Sequence, residues 1–228
     1  MALADIKVVC LAGQGTVFDH EASVAAAFPH AEAASVMALW QAKRFEYAVL
    51  AALTGRAPDA WALAGQALDH ALAAHDLTDA LLRGKLMQSL LQPLPCADVA
   101  AAMPLLRATG CRLVLLSDAS SIMLISQAKA AGVFAAFDAL LTTEASGAVK
   151  PQPAAYQTVA QRFGVQPGQV LYASARAWDV AGAAASGLAS VWLNRAGKPA
   201  EHAWAPPAAT VASLIELAGL LPMPATAT

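Results

Sequence analysis

The chain has 228 residues, is 58% hydrophobic and 13% charged, and carries a formal net charge of −2. This charge offers no basic surface for nucleic acid, and no uncharged apolar stretch reaches the roughly 18 residues of a membrane span, so we expect neither partner. The first residues lack the basic start and apolar core of a secretion signal, and the three cysteines are widely spaced, so a cytoplasmic protein with reduced thiols is expected.

The first half of the chain predicts one strand followed by helices. Ile6–Leu11 is apolar, rich in β-branched residues and followed by glycines, which is typical of a buried strand. From about Ala33 to Leu91, apolar residues recur at spacings of three and four, with breaks near Gly55 and near Asp76. Pro93–Pro95 then reads as a hinge.

From Cys96 onward, strands and helices alternate. The predicted strands are Arg112–Ser117, Ala139–Thr142, Val170–Ser174 and Ser190–Leu193. The predicted helices are Ala97–Ala108, Ile122–Ala131, Pro153–Phe163, Trp178–Ala185 and Val211–Leu221. Such alternation predicts an α/β fold, a Rossmann-like parallel sheet covered by helices on both faces. Residues 1–20 and 93–228 would form this core, and residues 21–92 an inserted helical cap over the carboxyl ends of the strands, where ligands bind in such sheets.

The turn after the first strand carries a motif. Gly15–Asp19 reads Gly-Thr-Val-Phe-Asp, which resembles the second half of the opening motif of the haloacid dehalogenase (HAD) superfamily. In that family an aspartate four residues before the threonine is the nucleophile that forms a covalent ester. Here this position is Ala12, which has no atom that can attack. Phosphatase members need a second aspartate two residues later, to hold Mg²⁺, and here that position is Gln14.

Five further segments resemble the (S)-2-haloacid dehalogenases within this superfamily, and they occur in the same order. They are Trp40–Tyr47, Leu113–Ser117, Val149–Tyr156, Ser174–Ala183 and Trp192–Gly197. The resemblance covers nearly the whole chain. It implies the HAD fold and a hydrolase that removes halide from small 2-haloacids without a metal or another cofactor. The natural ligand would be a small carboxylate or a halide-like anion, and a homodimer is typical of the relatives.

The resemblance also implies roles for individual residues. The retained catalytic residues are Thr16, Ser117, Lys150, Ser174 and Asp179, and Tyr156 is a retained residue of the substrate site. Four positions differ from the family: the nucleophile is Ala12, the cap arginine that holds substrate is Gln41, and two neutral asparagines are Asp118 and Arg176. Several differences in one cavity favour natural divergence over a single engineered knockout.

Each of these residues also has a purely structural interpretation. Thr16 would suit a turn, Lys150 an ordinary surface position, and Asp179 the first turn of a helix, where the helix dipole favours an acid. Trp40 and Trp192 fit core packing. The histidines have no metal-ligand spacing and are expected to face solvent; they are His20, His30, His70, His75 and His202.

Three functional hypotheses therefore stay open. The chain is a dehalogenase-like protein that has lost turnover and binds a small carboxylate, or an active hydrolase that uses an unusual group such as Asp118, or a binding or dimerisation module. Loss of turnover follows from Ala12, because covalent catalysis lacks its first atom. Asp118 and Arg176 are expected to pair and partly fill the pocket, and Lys150 is expected to lean toward Asp179 or Asp118.

Overall fold

The computed structural model describes residues 3–56 and 59–222. Its strands are β1 (Val8–Ala12), β2 (Phe18–Asp19), β3 (Leu94–Pro95), β4 (Arg112–Ser117), β5 (Ala139–Thr142), β6 (Val170–Ser174), β7 (Ala189–Leu193) and β8 (Ala209–Val211). Its α-helices are α1 (His20–Ala27), α2 (Ala33–Leu53), α3 (Ala60–Ala73), α4 (Ala80–Leu91), α5 (Val99–Ala108), α6 (Ser121–Ala130), α7 (Pro153–Phe163), α8 (Ala177–Ala185) and α9 (Leu214–Gly219).

Six strands form one parallel sheet in the order β5-β4-β1-β6-β7-β8, which confirms the predicted α/β class. The central strand β1 pairs with β4 on one side and β6 on the other, and Ala12 lies in register with Leu116. The carboxyl ends of β1, β4 and β6 therefore meet at one edge. That edge is where the predicted site residues of these three strands are brought together.

Helices cover both faces of the sheet. Successive side chains of a strand point to opposite faces, so both sets of side chains lie under helices. In β4, Leu113 and Leu115 pack with helices α5, α6 and α9, whereas Val114 and Leu116 pack with α7 and α8. Ala12 belongs to the α7 and α8 side. This double burial explains why the sheet strands read as continuous apolar runs rather than as alternating ones.

The helices α2, α3 and α4 surround an apolar cluster of their own, to which Met123 of α6 also contributes. The chain leaves the sheet domain through β2 and returns through β3, and these two short strands pair antiparallel. The sequence analysis places the boundaries of the cap between residues 20 and 21 and between residues 92 and 93. These boundaries lie close to the β2–β3 pair and stay a prediction. No helix of the described segments is long and apolar enough to cross a membrane.

Two sequence predictions differ from the structure, and one helix was not predicted. The final helix is shorter than Val211–Leu221, because Ala209–Val211 joins the sheet as β8 and Ser213 caps a helix that begins at Leu214. The expected hinge at Pro93–Pro95 contains strand β3. The helix α1 has no predicted counterpart, since its alanines and single valine show no clear helical period.

Candidate functional site

A cavity of about 130 Å³ lies between helices α2 and α3 and the carboxyl edge of the sheet. It is small compared with the several hundred Å³ of a drug-sized pocket. The predicted site residues on its wall are Ala12, Gln41, Ser117, Asp118, Lys150, Arg176 and Asp179. Thr16, Tyr156 and Ser174 are fully buried behind this wall and hydrogen-bond to Ala175, Asp179 and Arg176 respectively.

The loop after β1 places Ala12 at the floor of the cavity. Ala12 is 3% exposed, and Gly15 follows with a φ of 73°, a left-handed conformation that favours glycine. Arg195 fixes this loop from outside: its guanidinium donates to the carbonyl oxygens of Gly15 at 2.7 Å and Thr16 at 2.9 Å, and pairs with Asp98 at 2.6 Å. The loop is therefore rigidly held although it presents only a methyl group.

Three hydroxyl groups secure the loops at the strand ends. The Thr16 hydroxyl accepts from the backbone N–H of Ala175 at 2.9 Å, and the Ser174 hydroxyl accepts from that of Arg176 at 3.2 Å. The Ser117 hydroxyl accepts from the N–H of Ala119 at 3.1 Å. Each contact satisfies a loop amide near the cavity, as the structural interpretation of Thr16 anticipates. Of the three, Ser117 also faces the cavity.

Lys150 is the centre of a buried ionic cluster and is not a surface lysine. Its Nζ lies 3.6 Å from Asp179 Oδ2 and 3.8 Å from Asp118 Oδ2, as expected from the sequence, and donates to the hydroxyl of Tyr172 at 3.1 Å. Burial pushes the pKa of Lys150 down, but the carboxylates of Asp179 and Asp118 outweigh it and leave that pKa raised. Lys150 is therefore a charged ammonium at neutral pH.

Asp179 accepts two tyrosine hydroxyls in the same cluster. Tyr156 Oη lies 2.7 Å from Asp179 Oδ1, and Tyr172 Oη lies 2.8 Å from Oδ2. Burial, and then the Asp179 charge, raises the pKa of both phenols, so both stay protonated donors. Gly182 makes this packing feasible, because a Cβ there would lie 2.6 Å from Tyr156 Oη. Asp179 is thus more than a helix-terminus charge.

The predicted pairing of Asp118 with Arg176 is wrong. The Asp118 Oδ1 accepts from the Lys150 backbone N–H at 3.1 Å and from the Thr143 hydroxyl at 3.0 Å. The Arg176 guanidinium instead donates to Gln41 Oε1 on α2. Asp118 is drawn toward the lysine side of the edge, and Arg176 reaches across the cavity to the helical region, so the pocket is not plugged by an ion pair.

Comparisons with known proteins agree with this geometry. A family model described as a haloacid dehalogenase-like hydrolase matches residues 14–187. The (S)-2-haloacid dehalogenase 1 of Pseudomonas sp. (strain CBS-3) is 32% identical over 190 residues, 83% of this chain and 84% of the relative. The chain belongs to the haloacid dehalogenase-like hydrolases.

Solved structures of dehalogenases have the same fold. The crystal structure of a dehalogenase with an intermediate complex has a TM-score of 0.92 and 30% identity, with 96% of this chain and 98% of that chain covered. The L-2-haloacid dehalogenase from Xanthobacter autotrophicus with chloropropionic acid covalently bound has a TM-score of 0.84 and 27% identity, with 94% and 98% covered. The helical region α2–α4 over the sheet edge therefore belongs to a known dehalogenase architecture.

Sequence reasoning did not assign His20, Arg44 or Tyr172 to this dehalogenase-like site, and it named Gln14 only as a lost metal-binding position. Gln14, His20 and Arg44 line the cavity, and Tyr172 supports Lys150 from β6. The expectation that His20 faces solvent is wrong. His20 is the first residue of α1, directly after β2, and it is only 5% exposed. Arg44 carried a usable signal: in the segment Trp40–Tyr47 it stands where the (S)-2-haloacid dehalogenase pattern has glutamine.

Trp40 and Trp192 agree with the packing interpretation, and the cysteines agree with the expectation of unpaired thiols. Trp40 and Trp192 are buried, and the indole N–H of Trp40 donates to the carbonyl of Ala64 at 2.8 Å, which joins α2 to α3. The cysteines are free thiols. Within residues 3–56 and 59–222, no group of three or more His, Cys, Asp or Glu side chains could hold a metal ion.

The arrangement can orient and bind an anion, but it lacks a free nucleophile on β1. Lys150, Arg44 and Arg176 supply positive charge, while the carboxylates of Asp118 and Asp179 are engaged by Lys150 and by hydroxyl or amide donors. A haloacid dehalogenase-like hydrolase normally places the attacking carboxylate where Ala12 lies.

Proposed function

We propose that this chain binds a small carboxylate between its helical region and its sheet, and does not hydrolyse it through a covalent aspartyl ester. The dehalogenase fold supports the ligand class, because the Xanthobacter autotrophicus relative was solved with chloropropionic acid covalently bound. Ala12 supports the loss of turnover. Residues 21–92 would act as the cap, and a homodimer stays a prediction.

One observation carries the proposal: the methyl group of Ala12 lies at the cavity floor where β1 ends, on a loop that is otherwise held in place. The reaction of the relatives needs a carboxylate oxygen there to attack carbon. Removal of one member of a catalytic set eliminates most of the rate, since the members act together. Binding has no such requirement.

A second candidate function is hydrolysis with Asp118 as the reactive carboxylate. This hypothesis is favoured by the location of Asp118, whose side chain lines the cavity and is 35% exposed. Its position disfavours it, because Asp118 follows β4 rather than β1, and one oxygen already accepts two hydrogen bonds. A displacement of about 1 Å can cost roughly 10²-fold in rate, so attack from there needs a rebuilt geometry.

The decisive experiment measures chloride release from (S)-2-chloropropionate. The wild-type protein is expected to release none above the uncatalysed background, whereas a functional relative assayed in parallel turns over at about 1 s⁻¹ or faster. Intact-mass measurement after incubation should find no covalent adduct. Chloride release that disappears in the Asp118→Asn variant would reject the proposal in favour of the second candidate.

The variant Ala12→Asp tests whether the rest of the site still fits the reaction. We expect this single change to leave activity at least roughly 10²-fold below that of the relative, the size expected of a misplaced substrate. Gln41 lacks the charged fork of an arginine, and Arg176 occupies an asparagine position. Full activity of the single variant would mean that these other differences have no functional effect.

A further inference from the structure

Two arginines of the cavity wall have no acidic partner. Arg44 lies on α2 and Arg176 immediately precedes α8, and both are half-buried. Among the described residues, no carboxylate oxygen lies within 4.0 Å of either guanidinium. Other arginines of the same chain do pair with acids, for example Arg83 with Asp69 and Arg195 with Asp98.

The two guanidiniums also repel each other. Burial, followed by the positive charge of Arg176, lowers the pKa of Arg44 to about 10, so Arg44 is still charged at neutral pH. Arg176 donates to the neutral oxygen of Gln41, and Arg44 lies over the ring of Trp40 at 6.0 Å. Neither contact supplies a full negative charge. A partly desolvated pair of like charges is costly, and an anion between them relieves that cost.

The acids of the cavity are engaged elsewhere. Asp179 accepts from Tyr156 and Tyr172, and both Asp179 and Asp118 lie within 4 Å of Lys150 Nζ. The ammonium of Lys150 is thereby compensated, and the positive charge left over is on the arginines. These three cations and two carboxylates give the wall a net charge of +1, but no carboxylate of the described residues is in direct contact with either arginine. One monocarboxylate can contact one arginine and leaves the other without a direct anionic partner.

Further donors face the same space. The Gln14 side-chain Nε2 and the ring nitrogens of His20 are buried without a hydrogen-bond partner, and both residues line the cavity. His20 is neutral because its pKa is lowered, so its ring offers one N–H donor and one acceptor nitrogen. An amide N–H is a suitable donor to a carboxylate oxygen. A buried donor without a partner destabilises the protein, so the Gln14 amide and the His20 N–H are stabilised when a ligand oxygen reaches them.

The remainder of the wall is hydrocarbon. Phe45, Leu63, Ala64, Met123 and Trp178 surround the space, and the rings of Phe45 and Trp178 contact at a centroid distance of 4.5 Å. Inorganic phosphate would leave these side chains uncovered. A chain of a few methylene groups would cover them, and the cavity volume of about 130 Å³ limits that chain to a short one.

We propose that the cavity binds a short-chain dicarboxylate, with Arg44 engaging one carboxylate and Arg176 the other. The guanidinium fork suits each carboxylate, because it can donate two parallel hydrogen bonds. This inference rests on the proposed carboxylate-binding function and specifies its ligand class. Neither arginine occupies the position of the cap arginine in the relatives, which here is Gln41.

The test compares dicarboxylates with matched monocarboxylates by calorimetric titration of the wild-type protein at constant ionic strength. The probes are malonate, succinate and glutarate against propionate and butyrate, with inorganic phosphate as a further arm. We expect the best dicarboxylate to bind at least about tenfold more tightly than its monocarboxylate counterpart, the size expected for one added charged hydrogen-bond pair. Melting temperatures should rise in the same order.

Two variants place the residues of the relatives at the two positions, Arg44→Gln and Arg176→Asn. Each should lower succinate affinity to about that of butyrate while butyrate affinity changes by less than about threefold, since one arginine is still present. Arg83→Gln, which removes an exposed arginine of the helical region, is the matched control and should keep the preference. Thermal unfolding of each variant establishes that it is folded.

Equal affinity for dicarboxylates and monocarboxylates would overturn the inference, as would absence of dicarboxylate binding or phosphate binding as tight as the best dicarboxylate. Loss of the preference in Arg83→Gln would also overturn it. These failures differ from failure of the proposed function, which is diagnosed by chloride release from (S)-2-chloropropionate. Retained preference in both Arg44→Gln and Arg176→Asn would assign the second carboxylate to other residues and reject this site.

Discussion

The inner and outer parts of the site differ in how their polar groups are satisfied. The inner cluster, defined by Lys150, Asp179, Tyr156 and Tyr172, is buried and every member has a partner within it. The outer cavity wall contains unpartnered groups, among them Gln14 and His20. The dehalogenase pattern is retained at Lys150, Tyr156 and Asp179, and is lost on the outer wall at Ala12, Gln41, Asp118 and Arg176.

The contrast between the two parts indicates which residues of a catalytic site can change without loss of the fold. A buried ion with hydrogen-bonded partners stabilises the native state only as a group, because removal of one member leaves the others uncompensated. Side chains that face a cavity can be exchanged one at a time, since water or a ligand can replace the lost contact. The inner cluster therefore has a structural role besides any role in chemistry.

The largest expected effect is on stability and comes from Asp179→Ala. This variant leaves Lys150 with Asp118 as its remaining acidic neighbour and removes the carboxylate that accepts from both tyrosine hydroxyls. The Tyr156 hydroxyl keeps the Asp179 backbone carbonyl at 3.1 Å, whereas that of Tyr172 loses its acceptor. We expect the free energy of unfolding to fall by about 3–5 kcal/mol, the usual cost of breaking a buried ion pair. Urea unfolding followed by circular dichroism measures it.

The control is Asp118→Ala on the outer wall. Asp118 is partly exposed, accepts hydrogen bonds from Thr143 and the Lys150 backbone, and lies 3.8 Å from Lys150 Nζ, which keeps Asp179 as its buried partner, so a loss of about 1 kcal/mol is expected. Equal losses for the two variants would remove the distinction between the inner cluster and the outer wall.

A smaller effect, dependent on pH, is expected from His20. Burial, then the charges of Arg44 and Arg176, lowers the pKa of His20 to about 3 from its ordinary value of 6.5. Between these values the unfolded chain binds a proton that the folded chain does not, so folding becomes less favourable as pH falls. The His20 contribution is complete above about pH 6.5 and declines toward pH 3, with a slope of at most about 1.4 kcal/mol per pH unit.

Unfolding curves at several pH values between 4 and 7 measure this slope. His20→Asn should reduce it relative to the wild type, whereas His70→Asn, at an exposed position of α3, should leave it unchanged. If the slope is the same in all three proteins, His20 is protonated as readily in the folded state as in the unfolded state.

Within the inner cluster, a smaller effect than that of Asp179→Ala is expected from Tyr172→Phe. The variant keeps the ring but loses the hydroxyl that accepts from Lys150 at 3.1 Å and donates to Asp179 at 2.8 Å. The predicted loss in unfolding free energy is about 1–2 kcal/mol, the range for a hydrogen bond to a charged group. Tyr156→Phe should cost a similar amount. If Tyr172→Phe lowers the free energy of unfolding as much as Asp179→Ala does, the Tyr172 hydroxyl matters to stability as much as the Asp179 carboxylate.

Much of the fold was predictable because buried parallel strands have a strong local signature. The bounds of Arg112–Ser117, Ala139–Thr142, Val170–Ser174 and the helix Pro153–Phe163 agree with the structure. The C-terminal strand Ala209–Val211 was not predicted, because a segment of three residues is too short to show the alternation of apolar and polar residues that marks a strand. Its place depends on pairing with β7, a contact distant from any local pattern.

Residue types at fixed spacing were enough to establish the sheet class, the family resemblance and the absent carboxylate at position 12. Only the tertiary structure decided that Arg176 turns to Gln41 rather than Asp118, that Arg44 and His20 reach the cavity, and that Tyr172 belongs to the lysine cluster. The physical reason is that charges and hydrogen bonds choose partners by distance and burial. Those quantities exist only once α2, β6 and the loop before α8 have packed together.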